Sequence, residues 1–182
     1  MADRNETRCD LMMFGALGDL AQRKLFPALY QLERASLLHR KSRVLAIDRK
    51  TYDTAGARNL LKDKLREHVK AGEFDDIVAE RFLGRVDYHC LDFNEPKGFA
   101  HLNDWHSSDQ SNLIVYMATA PAMYGEIARN LHRNGCCDHN TRAVVEKPIG
   151  HDLESSKVIN DELGEVFNEN QLFRIDHYLG KE

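Results

Sequence analysis

Short apolar runs alternate along this chain with longer segments whose apolar residues recur at helical spacing, and that alternation leaves few architectures open. Residues 10–14 form an apolar run that Gly15 ends, and Leu20, Leu25, Leu29 and Leu32 then fall near one helical face. Residues 44–47 predict a second strand, and Leu60, Leu61, Leu65 and Val69 stripe a charged segment as a second helix. Further strands are predicted at 86–91 and 113–117, the latter a continuous apolar run suited to burial on both faces. Pro121 opens a predicted helix to about Asn134, residues 143–145 give a fifth strand, Asp152 caps a helix through Val166, and residues 172–175 give a last strand. Strands separated by helices predict an α/β fold, a doubly wound, Rossmann-type, mostly parallel sheet with helices on both faces. No repeat or linker divides the pattern, so residues 1–182 are expected to form one dinucleotide-binding domain.

Composition narrows the function. Hydrophobic residues make up 42% and charged residues 30%, with a formal net charge of −4, which suits a packed globular domain. A mildly acidic chain without a basic run is not expected to hold nucleic acid by phosphate neutralisation. No stretch approaches the roughly 20 apolar residues of a membrane span, and the polar N-terminus does not read as a secretory signal. Cys9, Cys90, Cys136 and Cys137 form no C-x-x-C pair, so reduced thiols, no metal site and a cytoplasmic location are expected.

Gly15, Ala16, Leu17, Gly18, Asp19 and Leu20 stand at the first strand-to-helix turn, where glycines admit a pyrophosphate to helix N-terminal amides. Gly15 and Gly18 fit the second and third glycines of G-x-G-x-x-G, with Met13 in the first place. A turn needing glycine for backbone reasons alone would read similarly. At the end of the second strand come Asp48, Arg49 and Lys50: an acid there suits the ribose hydroxyl of NAD, an arginine the 2′-phosphate of NADP. Both are present, and the two basic residues favour NADP while leaving NAD possible. Glu146, Lys147 and Pro148 follow the fifth strand, and residues 176–181 follow the sixth. His177 and Lys181 are four apart and on a helix would share one face toward a phosphate, with Tyr178 adding a hydroxyl. Asp176 suits the orientation of a histidine, although an Asp-His pair at a loop also serves purely structural ends.

These residues carry a family resemblance. Residues 15–27, 116–121, 146–150 and 174–182 resemble, in order, the blocks of the N-terminal coenzyme-binding part of glucose-6-phosphate dehydrogenases, and the last block is the most specific. The resemblance implies oxidation of glucose 6-phosphate at C1 to 6-phosphogluconolactone with hydride transfer to NADP, the entry step of the pentose phosphate pathway. It implies that residues 15–20 cradle the pyrophosphate and that Arg49 meets the 2′-phosphate. Asp92, Phe93, Ala120 and Pro121 would line the coenzyme, and Lys147 would bridge coenzyme and sugar. His177, Tyr178 and Lys181 would hold the substrate phosphate, with Lys24 adding charge nearby. Asp176 would orient a general-base histidine that the family carries further downstream, on an α+β domain through which it forms homo-oligomers.

The sequence departs from that pattern in two ways. It stops at Glu182, before the general base, so these residues alone are expected to be inactive. It also carries Asp48 where the family commonly has a small neutral residue. A non-catalytic NAD(P)-binding module is the alternative reading. A short-chain dehydrogenase is disfavoured, because no tyrosine is followed by lysine at Tyr-x-x-x-Lys spacing.

Overall fold

The computed structural model describes residues 8–106, 112–147, 149–150 and 152–176. Six strands, β1 (Cys9–Phe14), β2 (Val44–Asp48), β3 (Val86–Cys90), β4 (Asn112–Met117), β5 (Arg142–Glu146) and β6 (Leu172–Ile175), form one sheet in the order β3-β2-β1-β4-β5-β6. Every pairing is parallel. The order reverses between β1 and β4, where chain connections leave to opposite sides and open a crevice beyond the strands' carboxyl ends.

Alternate residues of the strands feed two cores. Met12 and Phe14 of β1 face a core shared with α4 (Ala100–His106), α5 (Tyr124–Arg133) and α6 (Leu153–Gly164). Met13 faces the other, shared with α1 (Phe26–Arg34), α2 (Thr54–His68) and α3 (Asp76–Leu83). Central strands are therefore apolar on both faces: β4 buries Leu113, Val115, Tyr116 and Met117. Phe14 stands between Phe93 and Phe99 with centroids 5.6 and 6.0 Å away, closing the core directly beneath the crevice.

The helices begin where local chemistry starts them. Asp53 caps α2 by accepting from the Gly56 amide, and Asp152 forms a reciprocal capping box with Ser155 at α6. The first helix differs from its predicted regular course. Ala21–Leu25 is a π-helical turn in which the Phe26 amide reaches back to the Ala21 carbonyl. Pro27 has no N–H to offer Arg23, so the ladder is already broken there and the wider turn is accommodated.

Candidate coenzyme and substrate site

The first turn of the crevice is fixed by one glycine. Gly15 follows β1 at φ +76°, and a Cβ there would lie 2.4 Å from the Ala118 carbonyl oxygen at the end of β4. A side chain is thus excluded both by backbone conformation and by space. Met13, the residue fitted to the fingerprint's first glycine, lies buried within β1, paired with Ala46 and Tyr116. The tight turn after the strand is made by Gly15 itself.

The turn is tied to β2. The Gly15 and Ala16 amides both donate to the Ile47 carbonyl at 2.9 and 3.1 Å, and Gly18 donates to the Gly15 carbonyl at 2.9 Å. The remaining amide, that of Leu17, donates to Asp48 Oδ2 at 2.9 Å. Every N–H from Gly15 to Gly18 is therefore satisfied within the protein. The next amides, from Asp19 onward, belong to a helical first turn, whose N–H groups have no intrahelical acceptor and are suited to an anion.

Asp48 thus faces the turn. Its Oδ1 also accepts from the Lys50 amide at 3.3 Å, and Lys50 Nζ reaches the Leu17 carbonyl at 3.5 Å. Tyr88, on β3, donates its hydroxyl to the Lys50 carbonyl and so holds the same segment from the sheet's edge. Burial, followed by the nearby Asp48 charge, raises the Tyr88 phenol beyond its ordinary range, which keeps it a donor. Arg49 is exposed, and its guanidinium has no ion-pair or hydrogen-bond partner among the described residues. A cation held in reserve beside the ribose end of a dinucleotide crevice fits a 2′-phosphate.

The other candidates divide between crevice and core. Asp19 and Lys24 are exposed and, with Leu20, Arg23 and His68, line an open cleft of about 470 Å³. Ala120 is exposed and Pro121 half-buried at the turn that leads from β4 into α5. Asp92 is exposed and caps its own loop through the Asn94 amide. Ala16, Leu17 and Phe93, by contrast, are 0, 3 and 5% exposed, so their side chains belong to the core and only their backbone can meet a ligand.

At the ends of β5 and β6 two predicted site residues meet. Lys147 Nζ lies 3.6 Å from Asp176 Oδ2, and the Lys147 amide donates to the Ile175 carbonyl at 3.0 Å. Lys147 remains 49% and Asp176 27% exposed, so the pair is open to a ligand. Beside it a cleft of about 410 Å³ is lined by Ile149, Gly150, Asp152, Ser156, Asn160 and Arg174 as well as Lys147. His177, Tyr178 and Lys181 lie outside the described residues, as does Pro148.

Several supporting contacts join residues of different elements. Tyr116 donates to Glu146 Oε1 at 2.6 Å, and the Tyr124 hydroxyl accepts from the Glu146 amide at 3.3 Å, fixing the residue that precedes Lys147. Burial, then the Glu146 hydrogen bond, pushes the Tyr116 phenol well above its ordinary value. Arg174 bonds Asn160 and grips both carboxylate oxygens of Glu169, so this arginine braces β6. Tyr116 and Arg174 fall within the sequence blocks that resemble the family, but the partners that fix them, Glu146 and Asn160, lie 30 and 14 residues away.

Comparison with known proteins decides the family. The model of the glucose-6-phosphate dehydrogenase NAD-binding domain matches residues 12–182. The chain belongs to this family. Glucose-6-phosphate 1-dehydrogenase of Mycolicibacterium smegmatis is 41% identical over 179 residues, covering 96% of this chain and 36% of that protein. The Dickeya dadantii enzyme of the same name is 40% identical, with 96% and 35% covered. Among solved structures, a glucose-6-phosphate dehydrogenase in complex with its substrate glucose-6-phosphate superposes with a TM-score of 0.83 at 31% identity, covering all of this chain and 39% of that one. The Mycobacterium avium glucose-6-phosphate 1-dehydrogenase gives 0.84 at 33% identity, with 96% and 37% covered. The chain therefore spans little more than a third of the length of these relatives. No helix among the described residues is long and apolar enough to cross a membrane.

Proposed function

We propose that this chain supplies the coenzyme site and part of the sugar-phosphate site of an NADP-linked glucose-6-phosphate dehydrogenase, which oxidises D-glucose 6-phosphate to 6-phosphogluconolactone. The observation that carries this reading is the convergence, at the carboxyl end of one parallel sheet, of a Gly15 turn, an unpaired Arg49 and an open Lys147–Asp176 pair. The residues fit the coenzyme: glycine where a side chain cannot stand, helical first-turn amides after it for a pyrophosphate, and a free guanidinium for a 2′-phosphate. Bound NADP supplies the hydride acceptor. The chain's own groups do the rest. Residues 15–20 position the pyrophosphate, with Asp92, Phe93, Ala120 and Pro121 along the coenzyme. Lys147 carries positive charge between coenzyme and sugar, and His177, Tyr178 and Lys181, with Lys24, hold the substrate phosphate.

Asp176 has the chemistry to orient a general-base histidine and to stabilise its imidazolium. That histidine belongs, on the family resemblance, to sequence beyond residue 182. A general base so oriented contributes roughly 10²–10⁴-fold to the rate. The proposed setting is the cytoplasm, in a homo-oligomer assembled through sequence outside these residues.

The test is titration with glucose 6-phosphate in the presence of NADP, for the protein and for Lys147→Ala, with reduced nicotinamide followed by near-ultraviolet absorbance. Binding weakened by Lys147→Ala, without reduction of NADP, is expected. Equal binding by the variant contradicts the sugar-site reading. Turnover contradicts the placement of the base beyond residue 182.

A further inference from the structure

We infer that Asp48 is a positioning residue for the glycine-rich turn, acting on NAD and NADP alike, and not a reader of the adenosine ribose. The inference rests on the dinucleotide-site reading above and adds to it a role for a residue whose type alone suggested the opposite. Three of the four turn amides, those of Gly15, Ala16 and Gly18, find backbone acceptors. Leu17 does not, and among the described residues its amide finds its acceptor in Asp48 Oδ2 at 2.9 Å. Leu17 is 3% exposed, so water has little access to replace that acceptor. Deleting it leaves a nearly buried N–H unpaired, in the one segment whose shape decides where a pyrophosphate sits.

The second carboxylate oxygen is also engaged, by the Lys50 amide at 3.3 Å, while Lys50 Nζ bonds the Leu17 carbonyl at 3.5 Å. Asp48 and Lys50 thus clasp Leu17 by both its amide and its carbonyl. A carboxylate so held is turned to the loop. The ribose end is left to Arg49, which is exposed and has no partner among the described residues. A defect in the clasp displaces the turn beneath the pyrophosphate, which both coenzymes share. It does not discriminate at the 2′ position, where they differ.

Two variants separate the roles. Asp48→Ala removes the acceptor; Asp48→Asn keeps an amide oxygen for the Leu17 N–H and removes the charge. Each is compared with the parent by amide hydrogen exchange at Leu17 in the free protein and by calorimetric titration with NAD and with NADP. Asp48→Ala is expected to speed Leu17 exchange about tenfold or more and to weaken both coenzymes by a similar factor, about tenfold. The ratio of the two affinities should stay within about threefold of the parent's, and Asp48→Asn should recover most of the protection and the binding. A tenfold or larger change in the NADP-to-NAD ratio overturns the inference, because the carboxylate would then be acting at the ribose. Unchanged Leu17 exchange in Asp48→Ala, or an Asn variant as impaired as the Ala variant, overturns it as well. A parent protein that binds neither nucleotide overturns the dinucleotide reading itself, and with it the coenzyme role of Asp48. That outcome is read from the parent alone and is distinct from any failure confined to the variants.

Discussion

The two ends of the sheet use the same kinds of side chain to opposite ends. At the amino end, Asp10 is fully buried and accepts from the Arg43 amide at 3.0 Å, the Arg43 guanidinium at 2.7 Å and Arg8 at 3.3 Å. Arg43 in turn lies 4.4 Å over the Trp105 ring and donates to its carbonyl. At the carboxyl end, Asp48 is half-buried, Lys147 and Asp176 are partly open, and Arg49 is exposed. A charge withdrawn from water must be paired by its own protein, because an uncompensated one is too costly. A charge left near water can be held loosely and retain capacity for a ligand. The amino end is accordingly a clamp, and the carboxyl end a site.

This contrast can be broken at each end, and the largest effect is expected at the clamp. Asp10→Ala leaves Arg43 without its carboxylate and should cost about 3–5 kcal/mol of stability, measured by urea denaturation, while folded protein keeps its coenzyme affinity. Burial alone would raise the Asp10 pKa, but His106 at 3.9 Å, the hydrogen bonds from Arg43 and the Arg43 charge outweigh it and hold the carboxyl well below the usual range. A depressed folded-state pKa gives stability that is present above the unfolded value of about 4 and is lost as pH falls below it. Asp10→Asn should flatten that acid limb. Gly15→Ala comes next: a positive φ and a Cβ 2.4 Å from the Ala118 oxygen predict a loss of about 2–4 kcal/mol and of coenzyme binding together. At the open end, Arg49→Ala should leave stability unchanged and weaken NADP by about 1.5–3 kcal/mol, with NAD spared, as titration would show. The smallest effect is that of Lys147→Met on folding, within about 0.5 kcal/mol, because its ion pair with Asp176 is partly exposed. A large destabilisation there would erase the distinction between clamp and site.

Much of this was legible in the sequence wherever one residue's own chemistry suffices. The apolar run that became β4 is buried as its continuity demanded, and Asp152 caps α6 as its side chain permits. The turn glycines and the Lys147 and Asp176 positions were readable because strand ends and helix starts are local signals. Short helices were not. α3 and α4 have only eight and seven residues, too few to establish a periodicity against the charges around them. Nor were the long-range partnerships. Asp10 read as one end of an apolar strand, and only the fold brings Arg43 onto it. Asp48 suited a ribose hydroxyl by residue type alone, because sequence gives the residue but not the direction its carboxylate takes. That direction follows the buried Leu17 amide, which has no other acceptor among the described residues.

Whether the carboxyl end of the sheet is a dinucleotide site is decided by calorimetric titration of the protein with NADP and with NAD. Saturable binding of one nucleotide per chain is expected, with NADP the tighter and its advantage removed by Arg49→Ala. A folded protein that binds neither nucleotide would mean that this end of the sheet is not a coenzyme site.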